Sequence, residues 1–451
     1  MTALLWLRRD LRRGDHPALV EAARRGTVVP VFVLDPGLWD GAGDARRAWL
    51  AATVAAADAA YDGVLCVRKG DAVRVLTTLA REVGAKSVHV TRETTPYGVR
   101  RDRAVAKALA AQGVEWLETG TPYAVGPGLL RTGTGDGYQV FTPFYRAWRA
   151  HGWPGPAPAP TGLRLEAAPS HESAWSMLRA ATAPQGLVLP DAGEEAARRQ
   201  WQAFRDDALS DYDTGRDQPA RPGTSRLSPH LKLGTIHPRT VLADISGQTG
   251  QDAERFRTEL AWREFYADVL HHHPGSAWTD LKPGLTAMGY DDEGPEVDAW
   301  RQGRTGFPFV DAGMRQLLAE GWMHNRARMV TASFLTKDLH VWWPLGARHF
   351  LDHLIDGDLA SNNHGWQWVA GTGTDASPYF RVFNPVTQGL HHDPGGEYVR
   401  RWVPELRHLP GAATHEPWKQ PDGYAHGYPQ RLVDHAEERR EALRRYEKVR
   451  K

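Results

Sequence analysis

The first 125 residues alternate between two apolar patterns. Short continuous apolar runs at 3–7, 28–34, 64–67 and 87–90 have the length of buried strands. Between them, Ala-rich stretches around 16–24, 45–60, 72–83 and 100–112 carry helical spacing. Strand and helix in succession predict βαβ units, and so a doubly wound parallel-sheet α/β domain over residues 1–125. Gly- and Pro-rich stretches at 126–137 and 153–160 (WPGPAPAP) then break the rhythm, so residues 126–193 read as an interdomain linker. From residue 194 to 451 the strand signal fades and helical periodicity dominates, predicting an all-helical second domain. Its tail, 432–451, reads as a charged, solvated helix, and no internal repeat is apparent.

Composition narrows the class. A chain of 451 residues holds two or more domains with ample core, and a net charge of +1 means that any polyanion must be met by a local basic patch. The single cysteine, Cys66, excludes a disulfide framework and a Cys-rich metal site, and it fits a reducing cytoplasm. The opening MTALLWLRRDLRR puts its apolar run before its arginines, the reverse of a secretory signal, and no apolar run approaches membrane-spanning length. The expectation is therefore a cytoplasmic protein with no membrane partner. Tryptophan is abundant, at 18 residues.

The most informative segment is IDGDLASNNHGWQW, residues 355–368. Asp358, Asn362 and Trp366 recur at i, i+4 and i+8, one stripe on a helix. A carboxylate, a carboxamide and an indole in that order suit a flavin: an acceptor for ribose or ring N–H, an amide for a ring nitrogen that gains and loses a proton, and a ring that passes an electron. A capped helix end with two core tryptophans fits the same residues. Upstream, Tyr212 and Arg216 (YDTGR) precede GTSRLSP, in which Ser228 reads as an N-cap and Pro229 as the first helical position. Thr224, Ser225 and Ser228 then offer hydroxyls and amides to a pyrophosphate, although an ordinary capped helix explains them too. Glu259, Trp262, Arg263 and Tyr266 share one helical face, and Asn325, Arg328 and Met329 share another.

In that order, WLRRDLR, YDTGR, TSRLSP, ELAWREFY, MHNRARM, DGDLASNNHGWQW, FNPVTQG and EYVRRWVPEL resemble the cryptochrome/photolyase family, most closely its class I cyclobutane pyrimidine dimer (CPD) photolyases. The resemblance spans nearly the whole chain. It implies a U-folded FAD in the helical domain, held by Tyr212, Thr224, Ser225, Arg226, Leu227, Ser228, Arg328, Asp356, Gly357, Asp358 and Asn362, with Asn362 facing the flavin N5. It implies a substrate face of Glu259, Asn325, Met329 and an aromatic wedge of Trp262 and Trp368, with Glu259 and Asn325 hydrogen-bonding the pyrimidine carbonyls. Arg216, Arg263, Tyr266 and Arg326 are the expected DNA contacts. The implied activity is that of a carbon–carbon lyase that repairs dimers in single- or double-stranded UV-damaged DNA by light-driven electron transfer, acting as a monomer and needing no metal.

Two departures stand out. The family's photoreduction path uses three tryptophans; Trp366 and Trp343 match the first two, but Tyr290 occupies the outer place. The expectation is that Tyr290, with Asp291 and Asp292 beside it as proton acceptors, or another tryptophan, ends the path. In the antenna region, residues 95–102 read TPYGVRRD rather than the folate type. With Arg46, Asp102 and Lys232 they look more like an 8-hydroxy-5-deazaflavin site, methenyltetrahydrofolate being the lesser match. A plant-type cryptochrome is the rival reading, but it would carry Asp at Asn362 and a long regulatory tail. A (6-4) photolyase would carry His at Asn325 and Met329, and a DASH-type protein would lack Trp262.

Overall fold

The computed structural model describes residues 1–375 and 380–450. Six parallel strands form one sheet: β1 (Thr2–Leu7), β2 (Thr27–Leu34), β3 (Cys66–Lys69), β4 (Ser87–Val90), β5 (Glu115–Glu118) and β6 (Arg164–Leu165). The order is β3-β2-β1-β4-β5, with β6 pairing β2. The strand order reverses direction at β1, as a doubly wound sheet requires. Alternation within β1 explains the two covered faces. Ala3, Leu5 and Leu7 pack with helices Pro17–Arg25 and Asp44–Ala60, whereas Leu4 and Trp6 pack with helices Ala72–Glu82 and Pro96–Ala110.

The expected linker carries structured pieces. Residues Phe141–His151 form a helix whose Phe141, Phe144 and Trp148 join the core of the helical domain. Further on, β6 adds to the sheet and the helix Glu172–Ala180 packs on its β1 face. The Pro-rich run lies between these pieces, so composition marked only part of the segment. The terminal helix, His435–Arg450, is docked rather than free. Its His435 pairs with Asp338, Glu438 meets His340 at 2.7 Å, and Arg445 forks onto Asp291 at 2.8 and 3.0 Å.

From residue 194 the described chain is helical apart from an isolated bridge between Asp291 and Val341. The helices Gln251–His272, Asn325–Ser333, Trp343–His353 and Leu359–Ala370 surround a central cavity. The two domains meet closely: Arg12 donates to the Gly234 carbonyl at 2.8 Å, and Leu11 N–H to Leu233. Gly234 adopts φ +68°, and a Cβ there would lie 1.8 Å from the Arg9 carbonyl, so only glycine fits this contact. Among the described residues no helix is long and apolar enough to cross a membrane.

Candidate functional site

A cavity of about 530 Å³ opens among these helices, a volume within the usual range for cofactor sites. Its lining brings together Tyr212, the 224–228 loop, Glu259, Trp262, Asn325, Arg328, Met329, Asp356, Gly357, Asp358, Asn362, Trp366 and Trp368. The sequence separates these groups by more than 150 residues. The fold converges them because the helices Gln251–His272, Asn325–Ser333 and Leu359–Ala370, the 224–228 loop and the turn at 356–357 all meet at this cavity.

One wall is polar and electrostatically fixed. Asp358 caps the Leu359–Ala370 helix, its Oδ1 accepting from Ala360 and Ser361 N–H at 3.1 Å each. Its Oδ2 accepts from Arg9 at 3.0 Å and from Lys232 at 3.5 Å. Burial alone would raise this carboxyl's pKa, but Lys232, Arg9, Arg263 and the Ser361 N–H hold it well below the usual range, so it stays ionised. Lys232 is correspondingly pulled down to about 8, by burial first, with Asp358 opposing. Arg328 donates to Asp356 Oδ2 at 2.8 Å, leaving the buried Asp356 Oδ1 without a protein partner. Asn362 Nδ2 donates to the Ala347 carbonyl at 3.1 Å and to Asn363 Oδ1 at 2.8 Å, so its own carbonyl oxygen is the atom left for the cavity.

The 224–228 loop lines the same wall, tethered by Gln200 donating to the Ser225 carbonyl at 2.8 Å. Two expectations change here. Leu227 takes the cap position of the short helix Ser228–Leu233, and Ser228 Oγ instead accepts from the Trp322 indole at 3.3 Å. Arg226 lines the cavity, but with φ +49° it turns its guanidinium onto Glu320 at 2.8 Å and over the Trp322 ring at 4.2 Å.

The opposite wall is aromatic. Trp262 stacks face to face on Phe141, with centroids 3.8 Å apart and planes 6° off parallel, which fixes its ring. Phe141 was missed from sequence because it lies in the expected linker, although Phe141, Phe144 and Trp148 share helical spacing. Tyr266, expected at DNA, instead lines the cavity between Trp262 at 5.5 Å and His364 at 5.9 Å, and burial pushes its phenol up. Arg263 lines the cavity too, and donates to the Pro122 and Leu231 carbonyls at 3.1 Å each while lying over the Tyr123 ring, so two of its five N–H donors are engaged at the domain junction. Glu259 pairs with Arg216, and a paired carboxylate accepts hydrogen bonds. Glu259 is therefore placed to accept from an N–H rather than to pair with a carbonyl, while Asn325 retains an amide donor.

Behind the cavity, Trp366 rests on Gly346, where a Cβ would come 2.2 Å from its ring. Trp343 is three residues earlier on the same helix, and its indole donates to Asp280 at 2.7 Å. Trp342 shares that carboxylate at 3.3 Å; its ring is 6.4 Å from Trp343 and 36% exposed. Tyr290 packs on Trp342 at 6.5 Å. Its hydroxyl faces the Leu285 carbonyl at 3.5 Å, and Asp291 is held by Arg445 rather than by the Tyr290 hydroxyl. Of the three antenna residues, Asp102 is buried apart, between Arg8 and Arg101, whereas Arg46, which donates to the Gly41 carbonyl at 3.0 Å, reaches Gly357 at the cavity that Lys232 also lines.

A parallel-sheet domain joined to a helical domain, with charged and aromatic side chains lining one cavity, defines a protein with a cofactor-sized site in its helical part. Comparison with known proteins gives the family. Residues 3–162 match "DNA photolyase" and residues 256–448 match "FAD binding domain of DNA photolyase". A deoxyribodipyrimidine photo-lyase from Streptomyces griseus is 42% identical over 95% of this chain and 96% of its own. One from Halobacterium salinarum is 39% identical over 99% of both chains. The crystal structure of a bacterial class III photolyase from Agrobacterium tumefaciens superposes with a TM-score of 0.90, at 37% identity, over 100% of this chain and 98% of its own. The chain belongs to the DNA photolyase family and carries its FAD-binding domain.

Proposed function

We propose that this protein is a light-dependent lyase that splits cyclobutane pyrimidine dimers in DNA, with FAD in the central cavity. The observation that carries the reading is the meeting of two walls in one cavity: the charged wall of Asp356, Asp358, Arg328 and Asn362, and the aromatic wall of Trp262 with Glu259, Asn325, Met329 and Trp368.

The donor set fits the cofactor. The 224–228 loop offers hydroxyls to phosphate oxygens, the unpartnered Asp356 Oδ1 offers an acceptor to a ribose hydroxyl or ring N–H, and Asn362 presents a carbonyl oxygen to an N–H such as that at N5. Tyr212, Leu227, Ser228 and Gly357 complete the enclosure. Reduced FAD, when bound and excited by light, supplies the electron that opens the cyclobutane ring. The chain's own part is positional. Trp262, braced by Phe141, and Trp368 replace the stacking that an extruded dimer loses. Glu259 takes a pyrimidine ring N–H, Asn325 donates to a carbonyl where charge develops, and Met329 fills the space beside them. Arg216 and Arg326 meet phosphate at the mouth.

Replacement electrons are read as entering through Trp366 and Trp343 and their neighbours, Trp342 and Tyr290. An 8-hydroxy-5-deazaflavin antenna is supported by Arg46 and Lys232 lying near Gly357, while Asp102 is held by Arg8 and Arg101. A neighbour from Sulfolobus tokodaii, 28% identical with a TM-score of 0.87, is described with two FAD molecules and a novel light-harvesting cofactor, so FAD itself is a second candidate. Monomeric action in the cytoplasm completes the reading. The test is recovery of thymine absorbance from dimer-containing DNA under near-UV or blue light, with the protein reduced, against a dark control. Recovery only in light supports it; no recovery with fully reduced FAD bound overturns it.

A further inference from the structure

Beside the arginines that the repair reading gives to phosphate stands a carboxylate, Asp217, that the reading does not use. Arg326 Nη2 and Nε approach Asp217 Oδ1 at 2.6 and 2.8 Å, and Arg216 Nε approaches the same oxygen at 3.6 Å while its Nη1 reaches Glu259. Both arginines line the cavity; Asp217 stands behind them and about a third of its side chain is exposed. Its backbone is pinned independently, with its N–H donating to the Thr214 carbonyl at 3.2 Å and its carbonyl engaged by His392 Nδ1 at 2.9 Å. Arg326 Nη1 also lies 3.7 Å from the Met329 sulfur, so the position of Arg326 is transmitted to a residue facing the second ligand.

Two carboxylates and two guanidiniums thus neutralise each other where a polyanion must dock. A balanced chain with net charge +1 has no general attraction for DNA to compensate. Phosphate therefore competes with Asp217 for Arg326 and Arg216. When Arg216 moves to phosphate, Glu259 loses its internal partner and is left to pair with a base. An ionised group left unpartnered at a partly buried site is unfavourable, so docking is favoured where an extruded base supplies Glu259 with a new partner.

We propose that Asp217 is a positioning residue for lesion specificity: it occupies the two mouth arginines in the free protein, so that undamaged DNA binds weakly and Glu259 is released only when a lesion can take it. This rests on the photolyase reading of the same cavity. The expected consequence of D217N is a gain, which damage to the fold would not produce. Affinity for undamaged duplex rises about three- to tenfold, preference for dimer DNA falls by a similar factor, and the log–log salt slope steepens by about one as one more phosphate contact forms.

The experiment titrates flavin-loaded wild type, D217N, R326Q and D217N/R326Q with labelled duplexes, with and without one thymine dimer, across a series of KCl concentrations. D217E keeps the carboxylate and should retain wild-type preference, which separates charge from shape. In the double variant the gain should shrink to a small residue, because its main acceptor is gone. Unchanged or weaker binding of undamaged DNA by D217N, or a full gain persisting in the R326Q background, overturns the proposal. A wild type with no preference for dimer DNA would instead refute the photolyase reading.

Discussion

Replacing Asp358 should separate the two jobs this side chain does. Its Oδ1 caps the Leu359–Ala370 helix through two backbone N–H groups, and its Oδ2 neutralises Arg9 and Lys232 across the domain junction. Losing the cap costs about 1 kcal/mol. Leaving a buried cation without its counter-ion costs about 3–5 kcal/mol. Arg9 and Asp358 are only 12% and 10% exposed, so solvent screening does little to reduce that figure. Glu93 lies 3.6 Å from Arg9 and takes up part of the charge, which favours the lower end, about 3 kcal/mol. Asp358→Ala should therefore destabilise by about 4 kcal/mol in all. Asp358→Asn, whose amide oxygen still caps, should cost about 3 kcal/mol. Denaturant unfolding at matched flavin saturation, read by far-UV circular dichroism and Trp fluorescence, measures both, since unequal cofactor binding would shift apparent stability by itself. Equal losses for Ala and Asn, or a loss under about 1 kcal/mol for Ala, would refute this account of the junction.

Three further outcomes follow from the same geometry. Gly346→Ala forces a methyl against Trp366, which Phe350 at 4.9 Å and Trp300 at 6.1 Å hold from behind; near-UV circular dichroism should lose Trp signal and stability should fall by about 2–3 kcal/mol. Lys232, held near 8 against an ordinary 10.5, binds fewer protons folded than unfolded between those values; wild-type stability should rise relative to Lys232→Met as pH climbs from about 8 to 10.5, and parallel pH profiles would exclude the buried charge. Trp342→Phe should slow photoreduction of bound flavin more than Tyr290→Phe, because Tyr290 reaches Trp343 only through Trp342; transient absorption that loses a tyrosyl signal and its yield in Tyr290→Phe alone would reverse that order.

Much of this was legible in the chain itself. The central strands are continuous apolar runs, buried on both faces, so length and flanking helices revealed them. β5 (EWLE) was not legible because it is a short edge strand with charged ends, and β6 because two residues carry no period. At the site, residues sharing one helix face were recognisable at their spacing: Glu259, Trp262 and Tyr266, or Asp358, Asn362 and Trp366. What spacing cannot reveal is the partner from a distant segment. Phe141 braces Trp262, Arg9 meets Asp358, Asp280 binds two indoles and Asp217 holds Arg326, each across 60 residues or more. For the same reason the carbonyl partners of Arg263 and the carboxylate partner of Lys232 are invisible in the spacing.

The most direct measurement illuminates the reduced, flavin-loaded protein with two matched oligonucleotides, one carrying a cyclobutane thymine dimer and one a (6-4) photoproduct, and quantifies restored thymines. A cavity with Asn325 and Met329 where a histidine pair would be needed should restore only the cyclobutane substrate, in light alone, with the yield falling sharply in Glu259→Ala and Trp262→Ala. Restoration of the (6-4) substrate, or of neither with FAD fully reduced, would contradict it.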